Sequence, residues 1–191
     1  MSSPDYSDKE SVRNHYLAVR NKLSSRQFQK KSRAIIEQLK SLTAFWDAKT
    51  LHTYVSINEK NEVDTVPLIT SALHESKQVV VPKMKGNGLL KHILIHSLDE
   101  LTENSWGVPE PIHEKSVSVE KLDLVVVPMV VGDVDKNRIG YGKGFYDRFL
   151  SQVSVPKVGL LFECQLSKIK LPTESFDIPL DVLITEERKI E

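Results

Sequence analysis

One cysteine, Cys164, is the whole thiol content of this 191-residue sequence. An intramolecular disulfide is therefore excluded, and no cysteine cluster exists for a zinc site; a small core residue is the expected role. Charge of one sign is missing as well, because Lys+Arg and Asp+Glu both number 26. No global field would draw the chain to nucleic acid or to an anionic membrane surface, so any anion recognition has to be local. No apolar run approaches membrane-spanning length, and the opening MSSPDYSDKE lacks the basic-then-apolar order of a signal peptide. A cytoplasmic protein with neither membrane nor nucleic-acid partner is expected, a monomer, with a homodimer as the alternative. Histidines are few and scattered: His52, His92 and His96 fall in strand-like runs and His113 in a loop, without metal-ligand spacing, which assigns them surface or structural roles.

The length and the 40% hydrophobic content suit one domain with a proper core, spanning residues 1–191. Val12, Tyr16, Val19 and Leu23 recur at helical spacing, with Lys9, Arg13 and Arg20 on the other faces. A second helix starts near Ser24 or Ser25 and buries Phe28, Ile35, Leu39 and Leu42. Six short apolar, β-branched runs follow, at 51–57, 78–82, 91–97, 122–128, 157–162 and 181–185. Helical segments lie after the first (DTVPLITSALHESK) and the fourth (GKGFYDRFLSQV). Alternation of this kind predicts an α/β fold, a mostly parallel sheet flanked by helices on both faces. LVVVP, apolar throughout, is expected at its centre. ENSWGVPEPIHEKSVS, rich in proline and turn formers, reads as a long surface loop.

Glycine is scarce too, yet three of the eight fall within five residues, in RIGYGKGFYD. The run sits between a buried strand and a helical segment, where open parallel sheets bind ligands. Without Cβ atoms, successive N–H groups can converge on one anion at a helix start. Arg138 and Lys143 add full charges, and Asp147 follows where it could share a magnesium ion with phosphates. The pattern is not a P-loop, since Gly144 follows Lys143 in place of a hydroxyl residue, nor is it G-x-G-x-x-G. Glycines alone could simply close a strand-to-helix corner; the flanking charges favour a phosphate site.

NRIGYGKGFYDRFL closely resembles the signature N-R-[LI]-G-x-G-x-G-[YF]-Y-D of the 5-formyltetrahydrofolate cyclo-ligase family, also called methenyltetrahydrofolate synthetase. The likeness extends along nearly the whole chain: Lys9 and Arg13, then Arg20, Leu23 and Ser24; Glu62 to Thr65; Val81 and Pro82; Trp106 to Pro111; Leu122 to Pro128; Phe162, Glu163 and Gln165; Leu171, Pro172, Asp177, Leu180, Asp181, Ile184 and Thr185. It implies a NagB/RpiA/CoA-transferase-like (Rossmann-like) fold and a ligase of one-carbon metabolism. This enzyme would use ATP and Mg2+ to convert 5-formyltetrahydrofolate into 5,10-methenyltetrahydrofolate, releasing ADP and phosphate.

Carried over by position, the resemblance assigns ATP to Lys9, Arg13 and the run Arg138, Ile139, Gly140, Tyr141, Gly142, Lys143, Gly144, Phe145 and Tyr146. Lys143 and Arg138 would act in catalysis, and Asp147 and Asp177 would hold magnesium. Folate would meet Ile57, Glu62, Trp106, Tyr141 and Phe145. The residues alone leave blander readings open: a solvated helix face for Lys9 and Arg13, an Asx-turn for Asp177, a loop acid for Glu62, and a loop anchored to the core for Trp106. A paralogue that kept nucleotide binding and lost folate chemistry is the alternative function. The chain departs from the family pattern at Met129, Gly132 and Lys136, where glycine, an aromatic and glycine are common. Phe176 stands where many members have histidine, and Cys164 where glutamine is frequent.

Overall fold

The computed structural model describes residues 3–105 and 107–191. In chain order it contains α1 (Lys9–Arg20), α2 (Ser25–Lys40), α3 (Thr43–Asp47), β1 (Thr50–His52), α4 (Val66–His74), β2 (Gln78–Lys85), β3 (Leu89–Ile95), β4 (Leu101–Glu103), β5 (Pro109–Pro111) and β6 (Leu124–Pro128). β7 (Val131–Asp133), β8 (Arg138–Ile139), α5 (Phe145–Leu150), β9 (Lys157–Leu160), β10 (Leu166–Ser167), β11 (Val182–Ile184) and β12 (Lys189–Ile190) complete it.

Asp8 caps α1 through backbone N–H groups of Glu10 and Ser11, and Ser24 closes a capping box with Gln27 on α2. The main sheet has seven strands in the order β12-β11-β9-β6-β1-β2-β3. Its inner pairs are parallel, and both edge pairs, β11 with β12 and β2 with β3, are antiparallel. All six expected strands form, so the sheet is mostly parallel as anticipated, although the 91–97 run returns along β2 as a hairpin and β1 is only three residues long.

Alternation within strands divides the core. Val79, Val81, Leu124 and Val126 face α2 and α4, meeting Ile35, Leu39, Leu68 and Ile69. Val80, Val125, Val127 and Leu183 face the other way, toward Phe149 and Leu150 of α5. LVVVP is thus buried on both sides, which the side-chain period of two requires of a central strand. A third cluster joins Val12 and Tyr16 of α1 to Val130, Val131 and Ile139. It docks α1 on the small sheet β10-β7-β8.

Three expectations need correction. Arg20 does not lie on an outer face: it is 1% exposed, because α1 packs by more than its apolar stripe. The segment after β4 is not simply a loop, since β5 pairs with β4 and Ser116 bridges to Ile93. The chain does not pass directly from β6 through a loop to α5; a β7–β8 hairpin intervenes. Asp133, fully buried, holds that hairpin through the Asn137 N–H at 3.0 Å and the Leu171 N–H at 2.8 Å. At its turn Lys136 takes φ +66°, a conformation glycine adopts more easily, which accounts for the family's usual glycine there. A Cβ on Gly132 would lie 3.0 Å from Leu183 Cδ1 and 3.3 Å from both Leu161 Cδ1 and the Met129 sulfur, so these three side chains occupy the space beside the missing aromatic.

Two histidines are structural, as expected. His52 Nε2 and His92 Nδ1 lie 3.1 Å apart beneath the ring of Phe149. Burial, followed by the neighbouring His92, holds His52 well below the ordinary imidazole value of 6.5, and burial brings His92 down to about 4. Above pH 6.5 folded and unfolded chains bind the same protons at this pair. Below it the unfolded chain takes up protons that the folded pair refuses, so stability falls as pH drops from 6.5 toward 4. A urea midpoint lower at pH 5 than at pH 7, with the difference reduced in His92→Phe, is the expected result; equal midpoints would remove the pair from the pH response.

Candidate active site

A cleft of about 930 Å³ opens where β1, β2 and β6 end, between α1 and the glycine loop. Residues 138–147 all line it, with Lys9, Arg13, Ile57, Glu62 and Asp177. Every described residue expected at the site therefore reaches one cavity. Trp106, expected to face folate, lies outside the described residues.

Two walls are built by local hydrogen bonding. After β1 the chain folds back on itself: the Thr65 hydroxyl donates to the Tyr54 carbonyl at 2.8 Å, and the Tyr54 hydroxyl donates to the Val63 carbonyl at 3.0 Å. This presents Glu62, only 5% exposed. One of its oxygens accepts from the Ile57 N–H at 2.9 Å and the other from the Tyr141 hydroxyl at 2.6 Å. The opposite wall is the glycine loop, where Gly142 has φ +85° and a Cβ would lie 3.0 Å from the Arg13 guanidinium. Glycine is needed there both for the backbone angle and for the close approach of a cation. Arg13 Nε in turn donates to the Gly140 carbonyl at 2.8 Å. α5 spans only six residues, so its dipole adds less to the site than the cations around it.

Charge is concentrated at the loop end. Arg138 donates to Asp147 Oδ1 at 2.6 Å, and Lys9 reaches Asp177 at 2.5 Å and Glu174 at 2.7 Å. Burial lowers the Arg138 pKa, against which the charge of Asp147, and after it those of Tyr146 and Asp177, act. For Lys9 burial opposes the charge, and the ion pairs with Asp177 and Glu174 outweigh it, leaving its pKa raised. Lys143 is exposed on the cleft wall. Of the side chains lining the cleft, Arg138 at its Nε and Tyr146 at its hydroxyl are buried without a hydrogen-bond partner. Burial, then the Glu62 charge, pushes Tyr146 and Tyr141 far above the usual phenol range, so both keep their protons and remain donors.

Sequence reasoning did not single out Tyr54, Lys60, Met84, Glu110, Arg148 or Glu174, which also line the cleft. Arg148 ties the β2–β3 hairpin to the loop by donating to the Gly88 and Lys143 carbonyls, both at 3.1 Å. The signal for these residues is tertiary: each is brought in by an element whose own pattern is ordinary. No group of three or more His, Cys, Asp or Glu side chains arranged for a metal occurs among the described residues. No helix among them is long and apolar enough to cross a membrane.

Parallel strands that open at their carboxyl ends into one charged cleft are where α/β folds bind small ligands. Residues 5–186 match the model of the 5-formyltetrahydrofolate cyclo-ligase family. The chain belongs to that family, and hence to the ligases. It is 30% identical to a probable 5-formyltetrahydrofolate cyclo-ligase of Schizosaccharomyces pombe, covering 88% of this chain and 90% of the relative. It is also 30% identical to the 5-formyltetrahydrofolate cyclo-ligase of Haemophilus influenzae, over 92% and 97%. The solved 5,10-methenyltetrahydrofolate synthetase of Aquifex aeolicus superposes with a TM-score of 0.84 at 35% identity, covering 95% of this chain and 91% of that one. The synthetase of Mycoplasma pneumoniae, at 24% identity and TM-score 0.76, shares the fold.

Proposed function

We propose that this protein closes 5-formyltetrahydrofolate to 5,10-methenyltetrahydrofolate, using ATP and magnesium and releasing ADP and phosphate. The observation that carries this reading is the composition of the cleft. One lining joins a buried carboxylate, Glu62, bonded to the Tyr141 phenol, to a glycine loop flanked by the cations Lys9, Arg13, Arg138 and Lys143. Glu62 suits the polar ring system of a folate, with Ile57, Phe145 and the Tyr141 ring as apolar contacts. The loop suits a triphosphate, with Lys9 and Arg13 approaching from α1 and Arg138 and Lys143 nearest the transferred group.

In this mechanism the formyl oxygen attacks the γ-phosphoryl group, ADP leaves, and the second folate nitrogen attacks the activated carbon as phosphate departs. The protein contributes alignment and charge neutralisation, as phosphoryl transfer generally demands. Arg138 Nε and the Tyr146 hydroxyl, donors without partners, are suited to donate to oxygens that a bound substrate brings. The donor types also suit magnesium: one or two carboxylates plus substrate phosphates are its usual protein complement, and Asp147 and Asp177 both line the cleft, held there by Arg138 and Lys9. Bound there, the ion would neutralise phosphate charge. Asp147→Asn is expected to raise the magnesium requirement by about tenfold or more, since even residues that merely orient a ligand cost 10–100-fold in metal affinity. An unchanged magnesium titration would count against Asp147 as a ligand.

The direct test mixes protein, ATP, magnesium and 5-formyltetrahydrofolate and follows the ultraviolet absorbance of the methenyl product. Product formation dependent on both ATP and metal is expected. A folded protein that binds ATP and forms no product would overturn the proposal and favour a nucleotide-binding paralogue.

A further inference from the structure

Arg20 is the largest fully buried side chain of the described residues, and it forms no ion pair among them. One terminal nitrogen donates to the Tyr141 hydroxyl at 2.8 Å; the other is 3.4 Å from the Met129 carbonyl, and its Nε has no partner. Glu62, nearly as buried, likewise has no lysine or arginine at ion-pair distance among the described residues. Isolated buried charges are costly, and these two, of opposite sign, are joined by a single phenol. Tyr141 accepts from Arg20 and donates to Glu62 at 2.6 Å, with the Arg20 guanidinium 5.7 Å and the Lys60 ammonium 5.0 Å from its ring centre.

The direction of this chain is forced. A guanidinium has only donors, so the phenol oxygen must accept from it, and the one phenol proton is left to point at Glu62. A donor that itself accepts from a cation is a stronger donor, and the carboxylate gains a short, oriented partner. With Ile57 N–H on the second oxygen, Glu62 is fixed in orientation and offers its remaining lone pairs as acceptors. The ligand group it meets must then donate, as the N–H and NH2 edge of a pterin does. Tyr141 belongs to the glycine loop and Arg20 to the last turn of α1, so three separate segments meet in setting one carboxylate.

We propose that Arg20 is a positioning residue for the folate end of the cleft, acting through Tyr141 to fix the orientation and acceptor polarity of Glu62. The inference rests on the reading of Glu62 as a folate contact. It is tested by steady-state kinetics, with thermal melts to show folding, on Arg20→Met, Arg20→Lys, Tyr141→Phe and Glu62→Gln. Arg20→Met should raise KM for 5-formyltetrahydrofolate by about tenfold or more, the loss of one charge-assisted contact. KM for ATP should stay within about twofold, Arg20→Lys should recover part of the loss, and Arg20→Met with Tyr141→Phe should be no worse than either alone. A folded Arg20→Met with unchanged folate KM, or with equal rises in both KM values, overturns the proposal. Should Arg20→Met fail to fold, Tyr141→Phe decides, because it removes only the bridging hydroxyl: unchanged folate KM there is equally fatal. A rise in Glu62→Gln without one in Arg20→Met or Tyr141→Phe overturns this inference alone, whereas no rise in Glu62→Gln removes the Glu62 reading and this one with it.

Discussion

Lys143→Ala is expected to lower turnover by two to three powers of ten while leaving the protein folded. Removing one preorganised electrostatic contact to developing charge costs roughly 3–4 kcal/mol. Nothing comparable is at stake for stability. The Lys143 side chain is exposed, and the bond that anchors the loop at this position is to its backbone carbonyl, which accepts from Arg148 and survives the substitution. In the free protein an exposed ammonium is screened by water; its effect grows once substrates fill the cleft and exclude that water. Lys143→Arg should restore only part of the rate, because a planar fork cannot follow a transferring group as a compact ammonium does. Single-turnover kinetics beside a thermal melt test this, and near-normal rates in the alanine variant would remove Lys143 from the mechanism.

The place of Lys143 on the cleft was legible in the sequence because its signal is local: charge and glycines adjoin in one run. The strands were legible for the same reason, each short apolar run carrying its own signal, and LVVVP identified the sheet centre by being apolar throughout. What escaped is what depends on contacts between distant segments. Helical spacing put Arg20 off the apolar stripe of α1, and its burial depends on residues far along the chain, Met129 and Tyr141 among them. Lys9 and Arg13 lie on one side of α1 as their spacing implies, but the partners of Lys9, Glu174 and Asp177, come from the far end of the chain. Glu62 was reached through the family likeness; its hold on Tyr141 crosses 79 positions, which no local pattern encodes. β5, read as loop for its prolines, forms because β4 supplies a partner strand. His52 and His92 gave no metal spacing and indeed pair with each other, an arrangement set by sheet register.

Arg138→Met should cost both stability and activity, and a second substitution should separate the two. The Arg138 side chain is 4% exposed and that of its partner Asp147 18%. Losing the guanidinium leaves a largely buried carboxylate without its cation, and breaking such a pair from one side costs about 3 kcal/mol or more. For a chain of this length that corresponds to a fall in Tm of roughly 6–12 °C, large against a total stability of about 5–15 kcal/mol. If Arg138 acts on the transferred group as proposed, turnover should fall by at least about two powers of ten, the usual cost of one lost electrostatic donor. Adding Asp147→Leu removes the stranded charge, and replacing both members of a buried pair by apolar groups is often neutral or stabilising. The double variant is therefore expected to regain most of the lost Tm and none of the lost rate. If the double variant melts as low as Arg138→Met, the pair is not what Arg138 contributes to the fold. If Arg138→Met keeps its rate, the guanidinium serves the fold alone, and the charge that meets the phosphates belongs to Lys9, Arg13 and Lys143.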